Sequence, residues 1–129
     1  MRLMLCLMIF SSLGIGLVAE SENTAKAKVF ALADGVLFQM GRIEGSRIIH
    51  PGMGAEKLTF NYIQSLPGDE FPQHVHDYSD DTFLVLEGQV DVRQGESRRH
   101  LGIGYAAFVP SGQIHGTITT GSKRATLIS

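Results

Sequence analysis

From Lys57 to Ser65 the chain reads KLTFNYIQS, in which Leu58, Phe60 and Tyr62 alternate with Thr59 and Asn61. A period of two puts the first set on one face and the second on the other, which is the pattern of a strand. It predicts a core-facing side made of Leu58, Phe60 and Tyr62. Earlier, VFALADGVLFQM predicts two short strands broken at Asp34-Gly35, and GRIEGSRIIHPGMG predicts turns around one short strand near Arg47–His50. LPGDEFP reads as a turn, QHVH as a short strand and DYSD as a loop. TFLVLEGQVDVRQGE predicts a hairpin that turns at Glu87-Gly88, and YAAFVPSGQIHGTITT two strands around a Pro110–Gly112 turn. RATLIS gives one more strand, barely complete, so part of a closing strand is expected to be missing. No amphipathic helical period follows residue 28. Short strands punctuated by regular turn signals predict an all-β sandwich or barrel.

The first residues break this pattern. MRLMLCLMIFSSLGIGLVA has one charge, Arg2, before an apolar run, and small residues toward its end. That is the layout of a secretory signal peptide, with a retained anchor or a part of the fold as alternatives. Ser11, Ser12, Gly14 and Gly16 interrupt the run and make it a poor permanent membrane span. The organisation expected is a leader over 1–19, a connector over 20–28 and a folded domain over 29–129. Such a leader implies an exported protein, periplasmic or extracellular, that meets a membrane only if the leader is uncleaved. Cys6 is the only cysteine and lies in that run. A mature chain would then hold neither a disulfide nor a thiolate metal site.

Composition changes the picture little. At 129 residues, 43% hydrophobic and 19% charged, the chain fits one folded domain of modest core. Its net charge of -2, without a basic block, gives no case for nucleic-acid binding.

Candidate chemistry centres on PQHVHDYSDDTF, which holds two of the five histidines. On a strand, His74 and His76 would point the same way, about 6–7 Å apart, close enough to share a metal ion. Asp77, Asp80 and Asp81 lie within reach of a short loop, and His115 can add a third imidazole from a later strand. Three histidines and a carboxylate suit one divalent ion of iron, manganese, nickel, copper or zinc. A lone H-x-H is otherwise an ordinary strand edge.

The surrounding framework is more specific. Gly68, His74, His76, Asp81 and Gly88 stand at G-x5-H-x-H-x4-D-x6-G, and Gly104, Pro110, Gly112 and His115 at G-x5-P-x-G-x2-H. These stretches resemble the paired motifs of the cupin superfamily, in the family's order, over roughly Leu58–Ile128. The resemblance implies a single-domain cupin β-barrel, a double-stranded jelly roll, with a metal inside it on His74, His76, Asp81 and His115. It also implies a homodimer, since cupins commonly pair through their barrels. Two departures stand out: Asp81 where the family usually has glutamate, and Thr119 where it usually has asparagine. The shorter aspartate arm leaves open a three-histidine site, or Asp80 in place of Asp81.

The function implied is a mononuclear-metal enzyme acting on a small organic molecule, of dioxygenase, isomerase or lyase type. The alternative is a cupin module that binds a metal or small ligand without turnover. Tyr78, two residues beyond His76, is the candidate catalytic acid or base if it faces the cavity, and otherwise a loop aromatic. Leu58, Phe60, Phe83, Val85 and Phe108 are the expected apolar lining. Gln73 and Gln113 flank ligands and are candidates to orient them. Arg42 and Arg47 are candidates to grip a carboxylate, with solvated surface charges as the plainer reading. His50 and His100 fall outside the framework.

Overall fold

The computed structural model describes residues 26–129; the expected leader over 1–19 and most of the connector lie outside them. Ten strands follow in order: β1 Val36–Met40, β2 Ile43–Ile49, β3 Phe60–Ser65, β4 Glu70–His74, β5 Asp81–Glu87, β6 Gln89–Gln94, β7 Ser97–Leu101, β8 Ala106–Val109, β9 His115–Thr120 and β10 Ala125–Ile128. They form two antiparallel sheets, one of six strands in the order β1-β2-β3-β10-β5-β8 and one of four in the order β4-β9-β6-β7. Among the described residues the only helical pieces are 3-10 turns at Leu32–Asp34 and Pro51–Met53, and no helix is long and apolar enough to cross a membrane. The architecture is the all-β double-sheet barrel that the pattern predicts.

Both sheets feed one core. Ile43, Ile63, Phe83, Val85, Val109, Ala125 and Leu127 come from the six-stranded sheet, and Val90, Val92 and Leu101 from the other. Each buried valine, leucine, isoleucine or phenylalanine here contributes about 1.5–3 kcal/mol by leaving water. At one end of the interior, Ser65 Oγ and Thr119 Oγ1 join the sheets at 2.5 Å. Beside them Asp69, its side chain 4% exposed, accepts from Arg42 Nε at 2.6 Å and from the Leu66 amide at 2.8 Å. Arg42 is therefore a partner of this buried carboxylate.

Several predicted elements differ. Of the two strands expected on either side of Asp34-Gly35, the first is replaced by the 3-10 turn, because the Asp34 carboxylate accepts from the Ala31 amide while the Asp34 amide donates to the Ala31 carbonyl. The predicted hairpin at Glu87-Gly88 is not a hairpin, and the two strands predicted around the Pro110–Gly112 turn form but do not pair with each other. At Gly88 the chain leaves one sheet for the other, so β5 pairs with β8 and β10, and β6 with β7 and β9. Likewise β8 pairs with β5, whereas β9 lies between β4 and β6. β7 is a strand that the alternation of apolar and polar positions does not mark, since four of its five residues are exposed and only Leu101 reaches the core.

β3 forms where expected but presents the opposite face. Ile63 and Ser65 are buried and stand opposite Leu127 and Ala125 of β10, while Phe60 and Tyr62 are only partly covered. Alternation marks two faces without saying which is inside, and here both faces carry apolar residues. The outer face of the large sheet has an apolar row of its own: Tyr62, Ile128, Leu84 and Ala106 are successive cross-strand partners, with Phe108 next to Thr82 beside them. Phe108 and Leu84 are both exposed on it.

Candidate metal centre

His74 and His115 stand opposite each other where β4 pairs with β9. The pairing is not regular: Phe71 is opposite Thr117 and His74 opposite His115, so β4 carries one extra residue between them. Pro72 sits in this bulge, on an edge strand, where its missing N–H costs no ladder bond. The bulge turns both Phe71 and His74 into the interior, although an odd separation would otherwise send them to opposite faces. Gly116 permits the close approach, since a Cβ there would stand 2.6 Å from the Phe71 carbonyl oxygen.

The four side chains meet. One ligand atom from each of His74, His76, Asp81 and His115 lies within 4.8 Å of every other, a group that can hold a metal ion. His74 Nε2 is 3.0 Å from His76 Nε2, and His115 Nε2 is 3.2 Å from Asp81 Oδ2. With metal–ligand bonds of about 2.0–2.2 Å, ligands at right angles stand about 3 Å apart, so these spacings fit adjacent positions around one ion. The donor set also fits, being three imidazoles and a carboxylate with no thiolate.

The far side of two of the three rings is fixed. His74 Nδ1 is 2.9 Å from the Pro72 carbonyl oxygen, and His115 Nδ1 is 2.8 Å from that of Gln113. A proton on Nδ1 donates to the carbonyl and leaves the Nε2 lone pair directed at the centre. Backbone carbonyls thus do the orienting proposed for the Gln73 and Gln113 side chains. The Gln73 side chain instead bonds Gly95, and residue type gave no signal for Pro72.

His115 is the innermost member at 1% exposed, with Phe83 beside it. His76 lies beyond the end of β4, and its carbonyl accepts from the Gly112 amide at 2.7 Å. Asp80 Oδ1 accepts from the Ser111 amide at 2.9 Å, so Asp80 ties the mouth loop to the Pro110–Gly112 turn while Asp81 reaches the centre.

A cavity of about 690 Å³ adjoins the centre, with His74, His76 and Asp81 in its wall. Phe38, Leu58, Ile63, Phe71 and Phe83 give it apolar surface, and Asn61, Thr82, Thr117 and Arg47 give it polar surface. Of the expected lining, Leu58 and Phe83 are present. Phe60 and Phe108 are corrected to the outer face, and Val85 is wholly within the core. Tyr78 is corrected too: β4 stops at His74, the alternation does not carry past it, and the Tyr78 side chain is fully exposed, outside the cavity wall. Tyr62 also stays outside, where its hydroxyl accepts from Gln64. His50 accepts from the Gly52 amide and His100 pairs with Asp91 on the surface.

Residues 61–129, more than half of the chain and every member of the centre, match the Cupin domain family. The chain is a cupin. Solved structures similar to this cupin have the same fold. KdgF from a Halomonas species is 18% identical with a TM-score of 0.65, the match covering 78% of this chain and 91% of that one. The polyketide cyclase RemF from Streptomyces resistomycificus is 20% identical with a TM-score of 0.68, over 80% and 77% of the two chains. The cupin domain of Drosophila melanogaster CENP-C is 17% identical with a TM-score of 0.66, over 81% and 80%. No curated protein matches this cupin in sequence.

Proposed function

We propose that this cupin is a mononuclear-metal enzyme that acts on a small organic molecule held in the cavity beside His74, His76, Asp81 and His115. The observation that carries this reading is the convergence of four ligand atoms within 4.8 Å at the wall of a cavity large enough for such a molecule. A bound divalent ion would supply Lewis-acid polarisation of a substrate oxygen, or a site for dioxygen, the chemistry of isomerases, lyases and dioxygenases. The chain's own part is to hold the His74 and His115 imidazoles by their Nδ1 atoms, to place the Asp81 carboxylate, and to keep water from the buried His115 side. Phe71 and Phe83 narrow the space next to the ligands and exclude solvent there.

The second reading is a binding module without turnover. It is favoured by the position of Tyr62 and Tyr78 outside the cavity, which leaves no tyrosine hydroxyl there as a proton carrier. A panel of small enols, keto acids and hydroxy acids, followed by NMR with metal-loaded protein, separates the two. Conversion by the loaded protein and not by His115→Ala is the expected result. Saturable binding without conversion across the panel would leave the binding module.

The outer apolar row Tyr62, Ile128, Leu84 and Ala106, with Phe108, supports a homodimer formed through that face of the large sheet. A stable pair of this kind hides about 800 Å² on each partner. Light scattering on the purified protein should give the dimer mass, and Leu84→Glu with Phe108→Glu the monomer mass. A monomeric unaltered protein at 100 µM, a concentration set by the experimenter and about a hundred times a micromolar Kd, would remove the dimer.

A further inference from the structure

The cavity has a second chemical feature, at the wall formed by β2 and β3. Ile43, Gly45 and Arg47 share the inner face of β2, and Arg47 is the cross-strand partner of Asn61. The Arg47 guanidinium is positioned by two contacts. Its Nε donates to Asn61 Oδ1 at 3.3 Å, and its central carbon lies 5.5 Å from the centre of the Phe38 ring. Phe38 reaches that place only because its own cross-strand partner is Gly45: a Cβ at position 45 would stand 2.1 Å from the ring. Glycine on β2 thus seats an aromatic ring that in turn seats an arginine, a stacking arrangement suited to guanidinium.

Among the described residues, no carboxylate lies within salt-bridge distance of Arg47, and none of its hydrogen bonds uses the two terminal nitrogens. Lys57 lines the same cavity and likewise has no ion pair among the described residues. The side-chain carboxylates of the cavity are each engaged elsewhere: Asp69 by Arg42, Asp80 by the Ser111 amide, and Asp81 by His115. Two exposed cations therefore line the cavity without an ion pair among the described residues, and one of them presents an open, planar pair of N–H donors.

We propose that Arg47, assisted by Lys57, is the carboxylate-binding residue of this cavity, and that the ligand is a small organic acid. The acid's carboxylate accepts a two-pronged hydrogen bond from the Arg47 terminal nitrogens, a geometry that lysine cannot copy. Asn61 and Phe38 hold the guanidinium in place beforehand, which reduces the ordering cost on binding. The rest of the molecule then lies over the apolar wall toward the histidines. This deepens the function proposed above and rests on its assignment of the cavity as the ligand site.

The test uses pyruvate, levulinate and phenylpyruvate, each beside its primary amide, in titrations with the full-length protein. At least one acid should bind, and its amide at least about tenfold more weakly, since a hydrogen bond to a charged group is lost. Arg47→Gln should weaken the acid by a similar factor, leave the amide unchanged and keep the metal content of the unaltered protein. Arg47→Lys should restore only part of the affinity, and added salt should weaken the acid alone. Acid binding by His115→Ala, lost again on adding Arg47→Gln, would support the anion site even if no metal binds there. Equal affinity for acid and amide, or acid binding indifferent to Arg47→Gln, would overturn the proposal; so would no binding of any acid.

Discussion

His115→Ala protein is expected to carry only background metal when the unaltered chain, purified without chelator, carries close to one ion. His115 is the innermost of the four converging residues, and its Nε2 faces the Asp81 carboxylate with Nδ1 tied to Gln113. Disturbing a residue that merely orients a ligand costs about 10- to 100-fold in affinity, so losing the ligand itself should cost more than that. Elemental analysis reads the result directly. A melting experiment gives a second reading, because an ion present at about 100 times its dissociation constant stabilises the fold by about 2.7 kcal/mol. The unaltered protein should gain melting temperature with added metal, and His115→Ala should gain none. Asp81→Ala should lose much of the affinity, whereas Asp80→Ala should keep it and only loosen the tie to Ser111. Undiminished metal in His115→Ala would remove the centre as described.

Gly88→Ala is the substitution expected to damage the fold most. Gly88 has φ of 71°, in the left-handed region, and a Cβ there would stand 2.4 Å from the Arg124 carbonyl oxygen and 2.8 Å from the Ala125 Cα. The left-handed conformation alone costs about 1–2 kcal/mol for a residue with a side chain. Overpacking against rigid backbone adds about 1–3 kcal/mol. Together they should lower the melting temperature by roughly 10–20 °C in a domain of this size. Gly104 is the control: its φ is 81°, yet nothing lies within 4 Å of its Cβ position. Gly104→Ala should show the conformational cost without the collision. Equal melting temperatures for the two variants would show that the corner at Gly88 tolerates more than its geometry implies.

The metal-site candidates were legible because they depend on residue type and spacing. His74, His76, Asp81 and His115 stand out in the sequence, and the folded chain gathers all four. How they are gathered was less legible. The bulge at Pro72 and the carbonyls that orient two of the rings belong to the backbone, and no side-chain identity announces them. The facing of β3 was misjudged because Phe60 and Tyr62 serve an outer apolar row, so hydrophobicity did not mark the interior. Glu87-Gly88 has the composition of a hairpin turn, and only long-range pairing shows it to be a passage between sheets. Arg47 could be read as a surface charge or a ligand-facing one, and its register opposite Asn61 places it on the cavity wall. The leader lies outside the described residues, and its reading stays with the sequence.

The position of β10 sets a constraint on how the barrel is assembled. The large sheet holds β1, β2 and β3 on one side and β5 and β8 on the other, and β10 is the strand that hydrogen-bonds both groups. Until Ala125–Ile128 arrive, each group presents an open strand edge to whatever else is nearby. During synthesis those edges wait through the making of every intervening strand, and sheet pairing across such a long sequence separation is intrinsically slow. The interval before β10 docks is therefore when two nascent copies are most prone to join edge to edge, and crowded polysomes or fast overexpression would lengthen their exposure to one another.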